Sequence, residues 1–150
     1  MYDVPLKIEV MNLRILMMGD DLGFMQTDAT LLRENGFRVH VCDNLSLINE
    51  LVKEIKPDIA FINPRSPNSD TTDIYHNLLD NIVYACLPVI YTLSEDDVYL
   101  VNRKRTELKE RRYIISDNIL GAITMAVAPV KSSGKTVSLD NNKYPIARSA

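Results

Sequence analysis

Hydrophobic and polar positions alternate along the chain in blocks that predict strands and helices in turn. Short, almost continuous apolar runs are typical of strands that are buried on both faces of a parallel sheet. Longer segments between them have apolar residues spaced by three and four positions, which indicates amphipathic helices. The predicted strands span residues 13–18, 37–42, 58–63, 87–92 and 113–115.

Start and stop signals place a helix after each of these strands. Gly36 follows the first predicted helix and adopts a positive φ easily, as helix ends require. Ser94 is followed by acidic residues at 95–97, a pattern typical of a capping box, and this predicts a fourth helix. The helices are predicted at 23–35, from Asn44 or Ser46 to Pro57, at 72–85 with Thr71 or Thr72 as its cap, at 95–110, and from a cap at Ser116 or Asp117 to 127.

Five successive strand-helix units predict an α/β fold. Such alternation predicts a parallel sheet with helices on both faces. Because crossover connections between parallel strands are right-handed, few topologies remain. The predicted architecture is a flavodoxin-like, doubly wound sheet of five parallel strands in the order 2-1-3-4-5. The divisions expected are an N-terminal extension at 1–10, the α/β domain at 11–128, and a C-terminal tail or linker at 129–150.

Composition narrows the classes of function without selecting one. The chain has 150 residues, 46% of them hydrophobic, and a formal net charge of −3, which suits one globular domain without a general attraction to nucleic acid or membrane. Cys42 and Cys86 are far apart, and His40 and His76 are isolated, so no zinc-binding pattern is present. The N-terminal segment lacks the apolar core of a signal peptide, and a cytoplasmic location is expected.

Polar residues follow two of the predicted strands at the point where each strand ends. Asp20 and Asp21 come after the first strand, and Asn63 ends the third. Because parallel strands 1 and 3 flank the point where the strand order reverses, we expect these side chains to meet at one rim of the sheet. There the Asn63 amide could hydrogen-bond to an Asp20 or Asp21 carboxylate. A simpler role for the two acids is capping the first helix, and an asparagine before proline is also common in loops.

This part of the chain resembles the receiver domain of two-component response regulators. The features shared are the two acids after strand 1, the polar residue that ends strand 3, and the proline four residues after it. The resemblance covers about residues 11–127. By position, Asp20 and Asp21 correspond to the family's Mg²⁺-binding acids, and Asn63 to the aspartate that takes a phosphoryl group from a histidine kinase. Pro67 corresponds to the family's proline, and the backbone carbonyl of Arg65 to a further metal ligand.

The chain departs from the family at the positions that perform the reaction. Asn63 has no anionic nucleophile, and Ser116 occupies the position of the family's lysine. The family's switch hydroxyl falls on Leu93, with Thr92 and Ser94 on either side. Phosphoryl transfer needs a carboxylate, a metal ion and a cation to pair with the new charge, so these departures remove two of its components.

The resemblance therefore implies a degenerate receiver, or pseudo-receiver, that serves signal transduction as a protein-interaction module. We expect no enzymatic activity, no phosphorylation at Asn63 and no required cofactor, with at most weak Mg²⁺ binding. The alternative is a working phosphorelay receiver that uses another acceptor, such as Asp20 or Asp21. A lower-ranked alternative is a flavodoxin-like domain that binds a small ligand.

A basic segment near the fourth predicted helix is the candidate partner surface. A run of charges is most often a solvated face, but receivers generally present helix 4, strand 5 and helix 5 to their partners. The expected partner is a protein, which could be a kinase, an output domain or a second copy of the chain, whereas nucleic acid and membrane are not expected. The basic residues are Arg103, Lys104, Arg105, Lys109, Arg111 and Arg112.

Overall fold

A mixed six-stranded sheet forms the centre of the part of the chain that the structure describes. The structure is a computed structural model that describes residues 12–84, 86–94, 96–103 and 114–127. The strands are β1 (Arg14–Met18), β2 (Arg38–Cys42), β3 (Ile59–Ile62), β4 (Val89–Ser94), β5 (Val98–Asn102) and β6 (Ile114–Ser116). The α-helices of the described ranges are α1 (Leu22–Glu34), α2 (Ile48–Ile55), α3 (Ser69–Asp80) and α4 (Ile119–Val127), and 3-10 turns occupy Leu45–Leu47 and Ile82–Tyr84.

The order of the strands is β2-β1-β3-β4-β5-β6. The first four in this order are parallel, whereas β5 runs antiparallel to both β4 and β6. The α/β class and the parallel pairing of the first four strands are confirmed. The prediction of a five-stranded, all-parallel flavodoxin-like sheet in the order 2-1-3-4-5 is wrong, because β5 lies between β4 and β6.

Residues 98–102 form this additional strand where a helix was predicted. Val98, Tyr99 and Val101 are β-branched or aromatic residues, which favour strands. Ser94, which was predicted to cap a helix, begins a hairpin turn instead. Ser94 Oγ accepts a hydrogen bond from the backbone N–H of Asp96 at 3.1 Å, and Asp97 reverses the chain with φ at 63°. The remainder of the predicted helix, 104–110, lies outside the described residues.

Helices cover both faces of the sheet, as the sequence predicts. On one face α1 and α4 enclose a core that includes Met17, Phe61 and Ile90. On the other face α2 and α3 pack over Leu16, Ile62 and Leu100, among others. The faces follow from the alternation of side chains along each strand. None of the helices in the described ranges has the length and apolarity needed to cross a membrane.

Two helices are capped by residues other than those predicted. Asn68 caps α3, since its side chain accepts from Thr71 N while the Thr71 hydroxyl accepts from Asn68 N. Thr71 is therefore the third residue of the helix and not its cap. Asn118 Oδ1 accepts from Gly121 N at 2.5 Å at the start of α4, and Ser116 belongs to β6.

Several predicted features fall outside the described residues. They include the N-terminal extension at 1–10 and the C-terminal tail at 129–150. Of the candidate partner surface, Arg103 alone is described, at the end of β5.

Candidate functional site

The carboxyl ends of β1 and β3 meet, as the sequence predicts. The backbone N–H of Asn63 donates to the carbonyl of Met18 at 2.7 Å. The strands approach so closely that a Cβ at position 19 would lie 2.9 Å from the Asn63 carbonyl oxygen. Gly19 is thus required by contact with the neighbouring strand. This junction brings the loop after β1 against the loop after β3.

Asp20 and Asp21 are each bound by a residue of the loop after β3. Asn68 Nδ2 donates to Asp20 Oδ2 at 2.5 Å, and Arg65 Nε forms an ion pair with Asp21 Oδ2 at 3.1 Å. The Arg65 guanidinium also lies 5.6 Å from the centre of the Phe24 ring, within the range of a cation–π interaction. The two carboxylates therefore find their partners within the chain itself.

Asp21 caps α1, which was the simpler interpretation of the acidic pair. Its Oδ1 accepts from the backbone N–H of Phe24 at 3.0 Å. This hydrogen bond, together with Arg65, lowers the pKa of Asp21 below its ordinary value, although partial desolvation opposes the change. Asp21 thus stays ionised and in place at the helix N-terminus.

Asn63 is buried, and both ends of its amide are hydrogen-bonded. Its side chain is 0% exposed. Thr92 Oγ1 donates to Asn63 Oδ1 at 2.6 Å, and Asn63 Nδ2 donates to Asp28 Oδ2 at 3.0 Å. Because a carboxylate only accepts, the orientation of the amide is fixed by its partners. Asn63 therefore bonds to Asp28 and not, as predicted, to Asp20 or Asp21.

Asn63 belongs to a line of polar side chains that crosses four adjacent strands on one face of the sheet. Thr92 pairs in register with Tyr99, and Tyr99 with Ser116. Asn63 stands one position beyond the paired residues Ile62 and Tyr91, level with Thr92. We call Asn63, Thr92, Tyr99 and Ser116 the polar row.

The polar row concentrates buried polarity at the carboxyl end of the sheet. Among the described residues, the buried polar side chains are those of Asn63, Thr71, Thr92, Asn102 and Ser116, and three of these belong to the row. Buried polar groups need partners, so their clustering at one place indicates a structural or functional centre. The row lies on the face that α1 and α4 cover.

The far part of the row contacts the β4–β5 turn and the start of α4. The Tyr99 hydroxyl donates to Asp97 Oδ1 at 3.0 Å, and the Tyr99 ring packs edge-on against Phe61. Burial and the nearby carboxylates Asp28 and Asp97 raise the pKa of Tyr99 above its ordinary value, so its hydroxyl stays protonated. Ser116 Oγ donates to the carbonyl of Asn118 at 2.9 Å, which ties the row to α4.

Asp28 is the residue of this site that the sequence analysis missed. It extends from α1 over the row and is half-buried. Burial raises the pKa of Asp28 above its ordinary value, the Asn63 hydrogen bond opposes this, and the charge of Asp97 adds to it. A signal was available in the helical pattern. Asp28 shares the buried face of α1 with Met25, Ala29 and Leu32, where an apolar residue is the rule.

The positions corresponding to the family's switch residues are separated by the additional strand. Thr92 contacts Asn63, whereas Leu93 packs on the opposite face and Ser94 forms the hairpin turn. Ser116 lies three strands away from β3, or about 14 Å at the usual spacing between strands. A side chain there is one strand further from Asn63 than in the predicted order.

The Mg²⁺ cage implied by the resemblance does not fit the residues that the structure brings together. The Asn63 amide oxygen is buried and accepts from Thr92, while its amide nitrogen faces Asp28. Asp20 and Asp21 point to Asn68 and Arg65. Within the described ranges, no group of three or more His, Cys, Asp or Glu side chains is placed to hold a metal ion.

Comparisons with known proteins give no assignment of this arrangement. No family model, no curated protein and no solved structure matches the chain.

The Thr92–Asn63 hydrogen bond can be tested by Thr92→Val, which removes the hydroxyl and nearly preserves the shape of the side chain. The buried amide oxygen of Asn63 would then lose its donor. We expect the free energy of unfolding, measured by urea denaturation, to fall by about 1–3 kcal/mol.

Thr30→Val is the matched control, because Thr30 is exposed on α1. We expect that variant to change the free energy of unfolding by no more than about 0.5 kcal/mol. Equal effects of the two substitutions would contradict the role given to Thr92.

Proposed function

We propose that the chain is a degenerate receiver-like module of signal transduction that acts by binding a protein partner and takes no phosphoryl group at Asn63. The observation that carries the first half of this proposal is the complete burial of Asn63 with both amide atoms hydrogen-bonded. A phosphoryl acceptor has to present a nucleophilic oxygen to its donor. Asn63 has neither an anionic oxygen nor access to solvent.

The surroundings of Asn63 support the same conclusion. The nearest carboxylate is Asp28, which comes from α1 and accepts the Asn63 amide. A phosphoryl group on the row would meet this acidic side chain in a buried environment, where like charges repel strongly. Ser116 offers a hydroxyl in place of a cation and lies three strands from β3. We therefore assign no enzymatic reaction to this site.

We propose no required cofactor and at most weak Mg²⁺ binding at Asp20 and Asp21. A metal ion at these carboxylates would displace Arg65 from Asp21 and Asn68 from Asp20. The ion pair is accessible, because the Arg65 side chain is 57% exposed, so it is an easily broken contact. Mg²⁺ would still have to compete with these partners without a third side-chain oxygen from Asn63.

The partner half of the proposal relies on the basic segment that begins at Arg103. Arg103 directly follows β5, the strand that lies between β4 and β6. The positive charges that continue to Arg112 would attract an acidic surface on a kinase, an output domain or a second copy of this chain.

Acetyl phosphate with Mg²⁺, followed by mass spectrometry of peptides, tests the first half. We expect no phosphorylated residue on β3 or at Asn63, because the amide cannot attack phosphorus. A functional receiver domain treated in parallel verifies the reagent. A phosphoryl group on Asp20 or Asp21 would replace this proposal by the working phosphorelay receiver, and one on β3 would contradict it directly.

Charge reversal tests the partner half. We expect Arg105→Glu with Lys109→Glu to reduce binding of acidic protein partners, and self-association in sedimentation experiments, because the positive charge of this segment is lost. Arg38→Glu with Lys53→Glu is the matched control, since it reverses one arginine and one lysine at exposed positions of β2 and α2. Equal loss of binding in both double variants would show that only net charge matters.

A further inference from the structure

The strand β2 lies at one edge of the sheet and directs backbone groups outward. Arg38 donates its N–H to the chain of β1, and the carbonyl of Cys42 accepts from the residue after β1, so alternate residues of β2 face β1. Val39 and Val41 therefore turn their N–H and C=O groups away from β1. Among the described strands, none lies beyond β2. An open edge of this kind is a template for a further strand.

One outward carbonyl of β2 is bound by a side chain of α1. Arg33 Nη2 donates to the carbonyl of Val39 at 2.7 Å. A backbone carbonyl oxygen has two lone pairs, so this contact leaves Val39 able to accept a second hydrogen bond. Arg33 thus anchors the edge to α1 without using up the capacity of the edge to pair with a strand.

The two faces of β2 differ in polarity. Val39 is buried and Val41 is partly buried in the core under α1 and α4. Arg38 and His40 alternate with them and are exposed on the opposite face. A strand beside β2 should therefore direct apolar side chains to the α1 face and polar side chains to the other face, because neighbouring strands share their faces.

The sequence that precedes the described residues carries this pattern. Leu6, Ile8 and Val10 alternate with Lys7 and Glu9. Strict alternation of apolar and polar residues is typical of a strand that is buried on one face. Residues 6–10 therefore offer the two faces that the edge of β2 requires.

One antiparallel register satisfies both the faces and the charges. It places Ile8 opposite Val39, so that their apolar side chains share the α1 face. Glu9 then lies beside Arg38, and opposite charges on neighbouring strands stabilise such a pair. In this register the outward N–H and C=O groups of β2 exchange hydrogen bonds with those of Ile8 and, two residues away, with those of Leu6.

The connection to β1 selects this edge of the sheet over the other. Arg14 pairs in register with Arg38, so Glu9 and Arg14 would lie level on either side of β2, about 10 Å apart. The chain from Glu9 to Arg14 can extend over about 16 Å. A position beyond β6 would be about 24 Å from β1, since four strands intervene. That edge is out of reach.

We propose that residues 6–10 pair with the outer edge of β2 in the same chain as an antiparallel strand, with Ile8 opposite Val39 and Glu9 beside Arg38. The segment thereby covers the backbone groups through which another chain could add a strand. This surface lies at the opposite end of the strand order from β5 and β6. The inference therefore does not depend on whether the basic segment that follows β5 binds a partner.

Amide hydrogen exchange of the full chain tests the pairing. We expect the N–H groups of Val39 and Val41 to exchange at least about tenfold more slowly in the wild type than in Ile8→Pro, because the proline removes a donor at the edge and disrupts the strand. The N–H of His40, which faces β1, is the internal reference and should exchange at the same rate in both proteins.

Lys7→Pro is the matched control. The N–H of Lys7 would face solvent, where an edge strand tolerates proline, so Val39 and Val41 should stay protected in this variant. Equal exchange of these two N–H groups in the wild type and in Ile8→Pro, or equal loss of protection in both proline variants, would overturn the proposal.

The register and the origin of the strand have a separate test. Lys7 and His40 would form a pair that is not hydrogen-bonded, in which the two backbones approach most closely. We expect a strong nuclear Overhauser effect between their α protons, and in a mixture of labelled and unlabelled protein we expect it within one chain. No such effect, an effect in another register, or one between different chains would contradict the proposal.

Discussion

The fully enclosed amide of Asn63 sets the arrangement of everything around it. A buried amide needs an acceptor for its N–H and a donor for its oxygen, and leaving either unpaired would cost about 1–3 kcal/mol. Asp28 meets the first need from α1, and Thr92 meets the second from β4. One side chain at the end of β3 thereby connects the first helix to β4.

The same burial supports the proposal that Asn63 takes no phosphoryl group. A receiver-type acceptor combines an exposed carboxylate with a metal ion and a cation, whereas both amide atoms of Asn63 are hydrogen-bonded inside the protein. The acidic pair that follows β1 is likewise committed, because Arg65 and Asn68 reach back to it from the loop after β3. The carboxyl rim is thus closed by its own side chains, which is why we place the proposed activity on the protein surface.

Much of the fold could be predicted because strands buried on both faces of a parallel sheet appear in the sequence as continuous apolar runs. The first four strands and the helices on both faces follow from that pattern. The hairpin strand β5 could not be predicted from that pattern, because Ser94 can accept a backbone N–H either as a helix cap or in a tight turn. The four-residue apolar run at 98–101 does not distinguish a helix from a strand. Only pairing with β4 and β6 selects the strand.

The candidate site was predicted in part for a similar reason. The meeting of the loops after β1 and β3 depends on topology and could be anticipated, and so could the special position of Asn63. Its partner Asp28 could have been selected by the spacing of Met25, Ala29 and Leu32, which puts it on the buried face of α1, but its contact with Asn63 depends on how α1 packs on the sheet. The sequence analysis placed Thr92 beside Leu93, the position of the family's switch hydroxyl, but the contact of Thr92 with Asn63 depends on the register of β4 against β3.

Hydrogen exchange of the Asn63 side-chain amide measures the central claim most directly. The signals of its Nδ2 protons can be compared with those of Asn77, an exposed asparagine on α3. If Asn63 is enclosed between Asp28 and Thr92, its amide protons should exchange with water at least about a hundredfold more slowly than those of Asn77, because exchange requires the site to open. Equal exchange rates at the two residues would show that Asn63 faces solvent and would contradict the account.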